Sequence, residues 1–349
     1  MNIEANHVPY HDNNQEEAIA AAFRRADWAA VKELASVWAQ NVDTDPRPHF
    51  ALNVVHLIEE EFGKAWQAHS RCLSESSDIE RVGGWVNAMR SRYPADSVIH
   101  LIEGLFLAQS GKSEASIGSY QAAANADPHS PYPHFFMAQI YQRLARSEEA
   151  IKAYREALKR DPAYVAARLN LGVAYQEQGR LEMAIPQYRE VIKLRPHELI
   201  AHTNLACALV EQGKIDAGIE EYKKALAICP EDAEVHFALG GVYESKGRKD
   251  LAKREYEEAL RINEAFAPAA TALGWYYFEK RQFDIALDYF SRAVKVDPND
   301  AHAVFGIGRV YDEKGKPELA SAHYEQALAL EKNPERKTRI LNFMDKVVG

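Results

Sequence analysis

A period of 34 residues runs through most of this chain of 349 residues. Six prolines mark the period, with Glu264 at the one missing mark: Pro94, Pro128, Pro162, Pro196, Pro230 and Pro298. A fixed period of this length is typical of a helix–turn–helix unit. Such a unit can bury its apolar face only against its neighbours, so the period predicts a stack of helical hairpins rather than one globular core.

Three columns of similar residues keep the same period. The first helix of each unit carries a small residue: Gly104, Ala138, Gly172, Ala206, Gly240, Gly274 and Gly308. The second helix carries another: Ser116, Ala150, Ala184, Gly218, Ala252, Ala286 and Ala320. The second helix also carries an aromatic ring: Tyr120, Tyr154, Tyr188, Tyr222, Tyr256, Phe290 and Tyr324. We expect the small residues to let the helices approach closely and the rings to fill the space between neighbouring units, because large rings bury much apolar area.

Glycine marks the turn between the two helices in five units: Gly111, Gly179, Gly213, Gly247 and Gly315. Glycine adopts a left-handed backbone without strain and so can end the first helix. Ala145 and Arg281 stand at this place in two other units. Pro186 lies early in a second helix, where it predicts a local bend.

Together these columns resemble the tetratricopeptide repeat family over about two-thirds of the chain. Seven units can be framed, and they begin at Ser97, Pro131, Val165, Leu199, Ala233, Ala267 and Ala301. The resemblance implies an all-α fold, a right-handed superhelical solenoid of helix–turn–helix repeats over residues 97–334.

The two ends of the chain depart from the period. Residues 1–13 are expected to form a disordered tail, and residues 14–96 a divergent helical module of degenerate repeats with turns near 25–27 and at Gly63. Four of the five tryptophans lie in this module: Trp28, Trp38, Trp66 and Trp85. They favour a helical core, with a self-association surface as the alternative.

Residues 335–349 predict an amphipathic helix that covers the last repeat. Its expected apolar side is formed by Ile340, Leu341, Phe343, Met344 and Val347. A partner-binding tail is the alternative for this helix.

Composition excludes several classes of function. The net charge is −9 and the charges are mixed along the chain, so neither nucleic-acid binding nor membrane insertion is expected. Cys72, Cys207 and Cys229 show no disulfide or metal spacing. The N-terminus has no signal-peptide pattern and no apolar run reaches membrane-spanning length, which favours a cytoplasmic protein.

No set of residues predicts catalysis, a cofactor or a metal. The segment "SGKS" at residues 110–113 lacks the first glycine of a phosphate-binding loop, since Phe106 occupies that place. Four histidines recur at the fourth position of the first helix: His100, His134, His202 and His236. Neighbouring helices hold such residues roughly 10 Å apart, which is too far for one metal ion. We interpret them as helix-packing residues, and we expect the chain not to be an enzyme.

The family resemblance also implies a concave groove lined by the first helices, where an extended or helical segment of a partner protein would bind. The candidate groove residues are Phe135, Gln139, Leu169, Asn170, Val173, Thr203, Asn204, Cys207, Phe237, Thr271, Trp275, Phe305 and Arg309. Among them, the aromatic side chains are expected to form apolar pockets. Asn170 and Asn204 resemble two rungs of the asparagine ladder in O-linked N-acetylglucosamine transferases, and an amide can bind peptide backbone through both its donor and its acceptor.

Further residues at the groove bear on the kind of ligand. Lysine and asparagine are missing from the positions by which chaperone-binding members of the family hold a terminal carboxylate, so chaperone tails are not expected. An acidic column at the groove edge predicts a ligand that carries lysine or arginine: Glu177, Glu211, Glu244, Glu279, Asp312 and Glu313.

The function that follows is a non-enzymatic scaffold or adaptor. Two alternatives stay open from the residues alone. One is a self-assembling protein that forms a homo-oligomer, with the N-terminal module as the contact. The other is a regulatory subunit of a separately encoded enzyme.

Overall fold

The computed structural model describes residues 12–42, 44–60 and 62–348. The chain divides into two compact units, Met1–Leu194 and Arg195–Gly349. The division falls between the third and fourth repeats, inside the segment that the sequence predicts as one repeat domain. The predicted tail, residues 1–13, lies almost entirely outside the described residues.

Within the described residues the fold is entirely helical. The N-terminal unit contains α1 (Asp12–Arg24), α2 (Trp28–Asn41), α3 (Pro46–Ile58), α4 (Phe62–Cys72), α5 (Ser76–Arg92), α6 (Ser97–Gln109), α7 (Ser113–Ala126), α8 (Tyr132–Arg143), α9 (Ser147–Arg160), α10 (Val165–Glu177) and α11 (Leu181–Leu194). The C-terminal unit contains α12 (Leu199–Glu211), α13 (Ile215–Ile228), α14 (Ala233–Ser245), α15 (Lys249–Ile262), α16 (Ala267–Glu279), α17 (Phe283–Val296), α18 (Ala301–Glu313), α19 (Pro317–Leu330) and α20 (Pro334–Val348). Among these helices, none combines the length and the apolarity that a bilayer span requires.

The seven predicted repeats are confirmed as the hairpins from α6–α7 to α18–α19. Six of the seven first helices begin at the predicted residue, and α8 begins one residue later, at Tyr132. Aspartates cap some of them: the Asp96 carboxylate accepts hydrogen bonds from the backbone N–H groups of Val98 and Ile99 at 3.0 and 3.2 Å. Helix α11 continues through Pro186. The prediction of an all-α solenoid of helix–turn–helix repeats is therefore confirmed.

The turns between paired helices all use a left-handed residue. The five turn glycines have φ between +64° and +83°, and Ala145 and Arg281 adopt the same conformation at +57° and +58°. A side chain in this region is strained because its Cβ crowds the following carbonyl.

Replacing Ala145 with glycine is expected to raise the free energy of unfolding by about 0.5 to 1 kcal/mol, because relief of the left-handed strain exceeds the entropy that glycine adds to the unfolded chain. The reverse change, Gly179→Ala, is expected to lower it by a similar amount. Urea unfolding followed by circular dichroism measures both. A loss of stability in Ala145→Gly would contradict the strain at this turn.

The small and aromatic columns meet inside each repeat. A Cβ atom added at Gly172 would lie 2.5 Å from Cε1 of Tyr188, and one added at Gly240 would lie 2.5 Å from Cε1 of Tyr256. The ring of Tyr188 is fully buried. The first helix thus packs directly on the face of the ring, and only a very small residue leaves room for it.

The N-terminal module places two of its tryptophans in a core, and the Trp66 side chain lies outside the described part of the molecule. Trp38 and Trp85 are buried, with ring centroids 6.1 Å apart, and Phe23 lies 6.4 Å from Trp85. The interpretation of these two tryptophans as core residues is confirmed. Arg47 stacks over Trp38 at 4.9 Å.

Of the two turns that the sequence predicts in this module, one is found at the predicted place and the other is not. The first turn, with Ala26 at φ +51°, lies where the sequence predicts it. The predicted turn at Gly63 is wrong: the left-handed residue is Glu60, at φ +60°, and Gly63 lies inside α4. Helix α3 already ends at Ile58, so the chain reverses before it reaches the glycine.

Helix α20 covers the last repeat. Ile340 is 3% exposed, and the ring of Phe343 packs 5.6 Å from that of Phe305. Leu341 is 43% exposed, so its predicted place on the apolar side is wrong. The Val347 side chain lies outside the described part of the molecule.

Candidate functional site

An open cavity of about 760 Å³ lies in the C-terminal unit, on the face formed by first helices. We call it the C-terminal cavity. Helices α14 and α16 form its walls, and the start of α18, the α19–α20 linker and α20 close one side. Its lining residues are Phe237, Gly241, Glu244, Tyr256, Ala267, Pro268, Thr271, Ala272, Trp275, Asp297, Asn299, Asp300, Ala301, His302, Leu330, Glu331, Lys332 and Arg336. An adjoining cavity of about 320 Å³ shares Trp275 and His302 with it.

Trp275 is the centre of an aromatic cluster beside the cavity. Its ring stacks on the imidazole of His302 at 4.9 Å and 25°, and it meets Phe290 edge-on at 5.2 Å. The ring of Phe305 lies 5.9 Å away on the next first helix. Because Trp275 is held on several sides and still half-buried, it offers a rigid apolar wall to a side chain that enters.

The structure brings three of the predicted groove residues together at the C-terminal cavity, and a fourth lines the adjoining one. Phe237, Thr271 and Trp275 line the first, and Phe305 lines the second. Phe237 is half-buried between Tyr256 and Phe266, each with its ring centroid 5.5 Å away. Arg309 lies outside both cavities and stacks on Phe343 at 4.0 Å.

The remaining candidates do not meet at one place. Thr203, Asn204 and Cys207 are half-buried on α12 of the C-terminal unit. The N-terminal unit holds the others, all half-buried except Phe135: Phe135, Gln139, Leu169, Asn170 and Val173. Asn170 and Asn204 thus belong to different units, and neither amide has a hydrogen-bond partner among the described residues. Their role as rungs for a peptide backbone stays a prediction.

Three of the predicted groove residues present little or no exposed surface. Phe135 is fully buried, because Tyr164 at the end of the same repeat packs against it at 4.9 Å. Phe305 is 5% exposed, because Phe343 of α20 covers it. Thr271 is 5% exposed, and its hydroxyl donates to the Asp300 carboxylate at 2.6 Å. We correct the assignment of Phe135, which lines neither cavity. Thr271 and Phe305 line the cavities with a small exposed fraction, and their role in binding stays a prediction.

A hydrogen bond recurs between the first and second helices of the repeats, and the column analysis missed it. In four repeats the tyrosine of the aromatic column donates its hydroxyl hydrogen to a side chain 12 residues earlier. The bonds are Tyr154 to Gln142 (3.1 Å), Tyr188 to Gln176 (2.9 Å), Tyr256 to Glu244 (2.7 Å) and Tyr324 to Asp312 (3.2 Å). The sequence contains a signal for it, since the repeat with Phe290 instead of tyrosine carries Phe278 at the acceptor position.

This bond explains part of the acidic column at the groove edge. Glu244 and Asp312 accept from buried tyrosines, and burial together with the nearby carboxylate raises the pKa of Tyr256 and of Tyr324. The other acidic side chains also have partners within the protein. Glu177 accepts from Gln142, Glu211 from Cys207, Glu279 pairs with Lys249, and Glu313 pairs with Arg281 and Arg309.

The recurring histidines connect helices, as their spacing suggested. The ring of His202 faces the Glu221 carboxylate through Nδ1 at 2.8 Å and the Pro196 carbonyl through Nε2 at 3.1 Å. His236 repeats this geometry one unit later, with Nδ1 facing a carboxylate at 2.7 Å and Nε2 a proline carbonyl at 3.1 Å. Each ring ties the start of a first helix to the preceding proline and to its own second helix.

In the N-terminal unit, the module before the repeats reaches the third repeat. The Glu60 carboxylate accepts a hydrogen bond from the backbone N–H of Ala166, in the first turn of α10, at 3.4 Å. Burial and the Glu60 charge raise the pKa of Tyr164, which packs on Tyr132 at 5.8 Å. The α3–α4 turn therefore occupies the approach to the first helices here, a placement that no sequence pattern indicates.

Comparisons with known sequences identify the repeats. One model described as a tetratricopeptide repeat matches residues 137–198 and 271–335, and another matches residues 233–266. A third, described as a TPR repeat, matches residues 206–247. No curated protein sequence matches the chain.

Several solved structures resemble the chain in fold. The crystal structure of the APC/C hetero-tetramer Cut9–Hcn1 matches with 18% identity and a TM-score of 0.54, over 98% of this chain and 70% of that one. The C-terminal part of a TPR repeat-containing protein from Cytophaga hutchinsonii matches with 17% identity and a TM-score of 0.54, over 69% and 99% of the two chains. PilF of Pseudomonas aeruginosa matches with 20% identity and a TM-score of 0.51, over 61% and 96%. At these identities the likeness concerns the fold alone.

Proposed function

Because the chain belongs to the tetratricopeptide repeat family, we propose that it is a non-enzymatic scaffold that holds a segment of another protein in its C-terminal cavity. The observation that carries the proposal is the cavity itself. Its walls are first helices of successive repeats, which the family resemblance assigns to the groove: Phe237 and Thr271 stand at the fifth position of their repeats, and Gly241 and Trp275 at the ninth.

The shape and chemistry of the cavity suit a protein segment. Its lining combines apolar surface from Trp275, Phe237 and Ala272 with polar groups, which is the usual composition of a binding site. A half-buried tryptophan on a rigid helix is also a common energetic centre of protein interfaces. An extended or helical segment that inserts one apolar side chain against Trp275 satisfies these features.

Gly241 gives a direct test, because a Cβ atom added there meets only the Tyr256 hydroxyl, at 4.0 Å. Gly241→Leu places an apolar side chain on the cavity wall, and the open space around the added Cβ predicts that the core is not displaced. It is expected to abolish capture of the partner in a pull-down from cell lysate with quantitative mass spectrometry. Gly118→Leu is the matched control, because Gly118 is an exposed helical glycine on α7 with no atom within 4 Å of an added Cβ.

A protein captured by the wild type and by Gly118→Leu but lost with Gly241→Leu supports the proposal. Equal capture by both variants would contradict it and move binding to another surface. Recovery of the chain alone, with a concentration-dependent mass in light scattering, would favour the homo-oligomer instead. Capture of one defined enzyme, whose activity then changes, would identify a regulatory subunit.

A further inference from the structure

The carboxylates that line the C-terminal cavity are already satisfied by donors from the protein. Glu244 accepts from the hydroxyl of Tyr256 at 2.7 Å, and Asp300 accepts from that of Thr271 at 2.6 Å. Glu331 accepts from the two backbone N–H groups that follow it, both at 2.9 Å. These groups are fixed in place by the fold, and each has less capacity left for a ligand.

The other two carboxylates near the cavities are held in the same way. Asp297 accepts from the backbone N–H of Asn299 at 3.0 Å, as part of the turn before α18. Glu279, on the wall of the adjoining cavity, pairs with Lys249. The acidic column that the sequence assigned to a basic ligand is thus engaged in holding the repeats together.

The charged groups of the basic side chains at the cavities, by contrast, donate no hydrogen bond to the described residues. Lys332 and Arg339 meet no acceptor among the described residues with their charged groups. The Arg336 guanidinium forms a long ion pair with the Glu331 carboxylate at 3.9 Å, beyond hydrogen-bond distance, and its side chain is 65% exposed. Lys332 and Arg339 are exposed as well, so all three charged groups are accessible to an acceptor from outside.

The two arginines are placed for joint contact with one ligand. Arg336 and Arg339 are three residues apart on α20, so their side chains leave the same side of the helix. Both line the adjoining cavity together with Trp275 and His302. Loss of solvation lowers the pKa of His302; the Asp300 and Glu331 charges oppose this, and the charges of the two arginines add to it. The imidazole beside Trp275 is therefore a poor competitor for an anion, and the guanidinium groups remain the donors.

We propose that Arg336 and Arg339 bind an aspartate or glutamate side chain of the partner segment, next to the apolar side chain that packs on Trp275. This inference rests on the proposed function and adds to it the chemistry of the partner. Guanidinium groups suit the purpose because they stay charged and donate two parallel hydrogen bonds to one carboxylate. The ligand charge proposed here is negative, whereas the acidic column predicted a ligand with a positive charge.

The test uses the full chain and defined synthetic peptides of about twelve residues. Each peptide carries one apolar anchor (leucine, phenylalanine or tryptophan), and the positions around it carry glutamate, glutamine or lysine. Fluorescence anisotropy gives the dissociation constants. A glutamate peptide is expected to bind about tenfold or more tightly than its glutamine counterpart, since a hydrogen bond to a charged group contributes about 1.5 to 3 kcal/mol.

Arg336→Gln/Arg339→Gln is expected to remove this preference, so that glutamate and glutamine peptides bind equally. Arg254→Gln/Arg292→Gln is the matched control: it makes the same change in net charge at exposed positions outside both cavities, and it should retain the preference. Gly241→Leu should weaken every peptide.

The outcomes separate this inference from the proposed function. A preference for lysine peptides, or a glutamate preference that survives the Arg336/Arg339 change, overturns the inference. If peptide binding is still lost in Gly241→Leu, the proposed function stands even though the charge preference is not the one inferred. Binding of no peptide, or binding that Gly241→Leu leaves intact, overturns both.

Discussion

Replacing Tyr188 with alanine is expected to lower the free energy of unfolding by about 3 to 5 kcal/mol, the range for loss of a large buried ring. The ring is fully buried and packs directly on Gly172, where an added Cβ would lie 2.5 Å from it. Its removal leaves a cavity between α10 and α11 that rigid helices cannot close. Urea unfolding followed by circular dichroism gives the change in midpoint and slope.

Tyr188→Phe isolates the hydroxyl from the ring. It removes the hydroxyl, which donates to Gln176 at 2.9 Å, and keeps the ring, so the expected cost is about 1 kcal/mol. Equal losses in the alanine and phenylalanine variants would show that the hydrogen bond, rather than ring packing, holds this repeat together.

Gly306→Ala is expected to destabilise the C-terminal unit by about 1 to 3 kcal/mol, because it overfills a packed core. A Cβ atom added at Gly306 would lie 2.5 Å from Cζ of Phe290, and one added at Gly274 would lie 2.5 Å from Cδ1 of the same ring. The ring is thus held between two glycines on consecutive first helices and has no direction in which to move. Thermal or urea unfolding of the full chain measures the loss.

Gly241→Ala is the control for the change in helix propensity. Its added Cβ lies 4.0 Å from the nearest atom, the Tyr256 hydroxyl. Alanine in place of a helical glycine then stabilises by up to about 1 kcal/mol. If Gly306→Ala gave the same gain as Gly241→Ala, the close packing around Phe290 would be disproved.

The repeats themselves were predictable because their information is local. The proline, glycine and aromatic columns give the period, and six of seven first helices begin at the predicted residue. The bond between Tyr188 and Gln176 was also within reach, since the same pair recurs one repeat earlier as Tyr154 and Gln142. Such features follow from one hairpin, which the same short sequence pattern specifies each time.

The candidate site was predicted in part. Phe135, Phe237 and Phe305 share the fifth position of their repeats, yet Phe135 and Phe305 are buried and Phe237 is half-buried. Phe305 differs because Phe343 of α20, which lies outside the period, covers it. Phe135 differs because its ring meets that of Phe136, whereas Ala238 stands at that place in the repeat of Phe237. The fifth position alone records neither neighbour.

By itself the sequence determined the family and the hairpins, and it predicted the face of the first helices as the surface for a ligand. Only the tertiary structure decided which part of that face is open, and which charges on it are free. Glu244 and Arg336 carry opposite unit charges, and nothing in the sequence says which of them has a hydrogen-bond partner; the fold gives Glu244 a tyrosine hydroxyl and leaves Arg336 no acceptor within hydrogen-bond distance. Secondary structure follows from residues a few positions apart, whereas exposure and pairing depend on side chains that the fold brings together from distant positions.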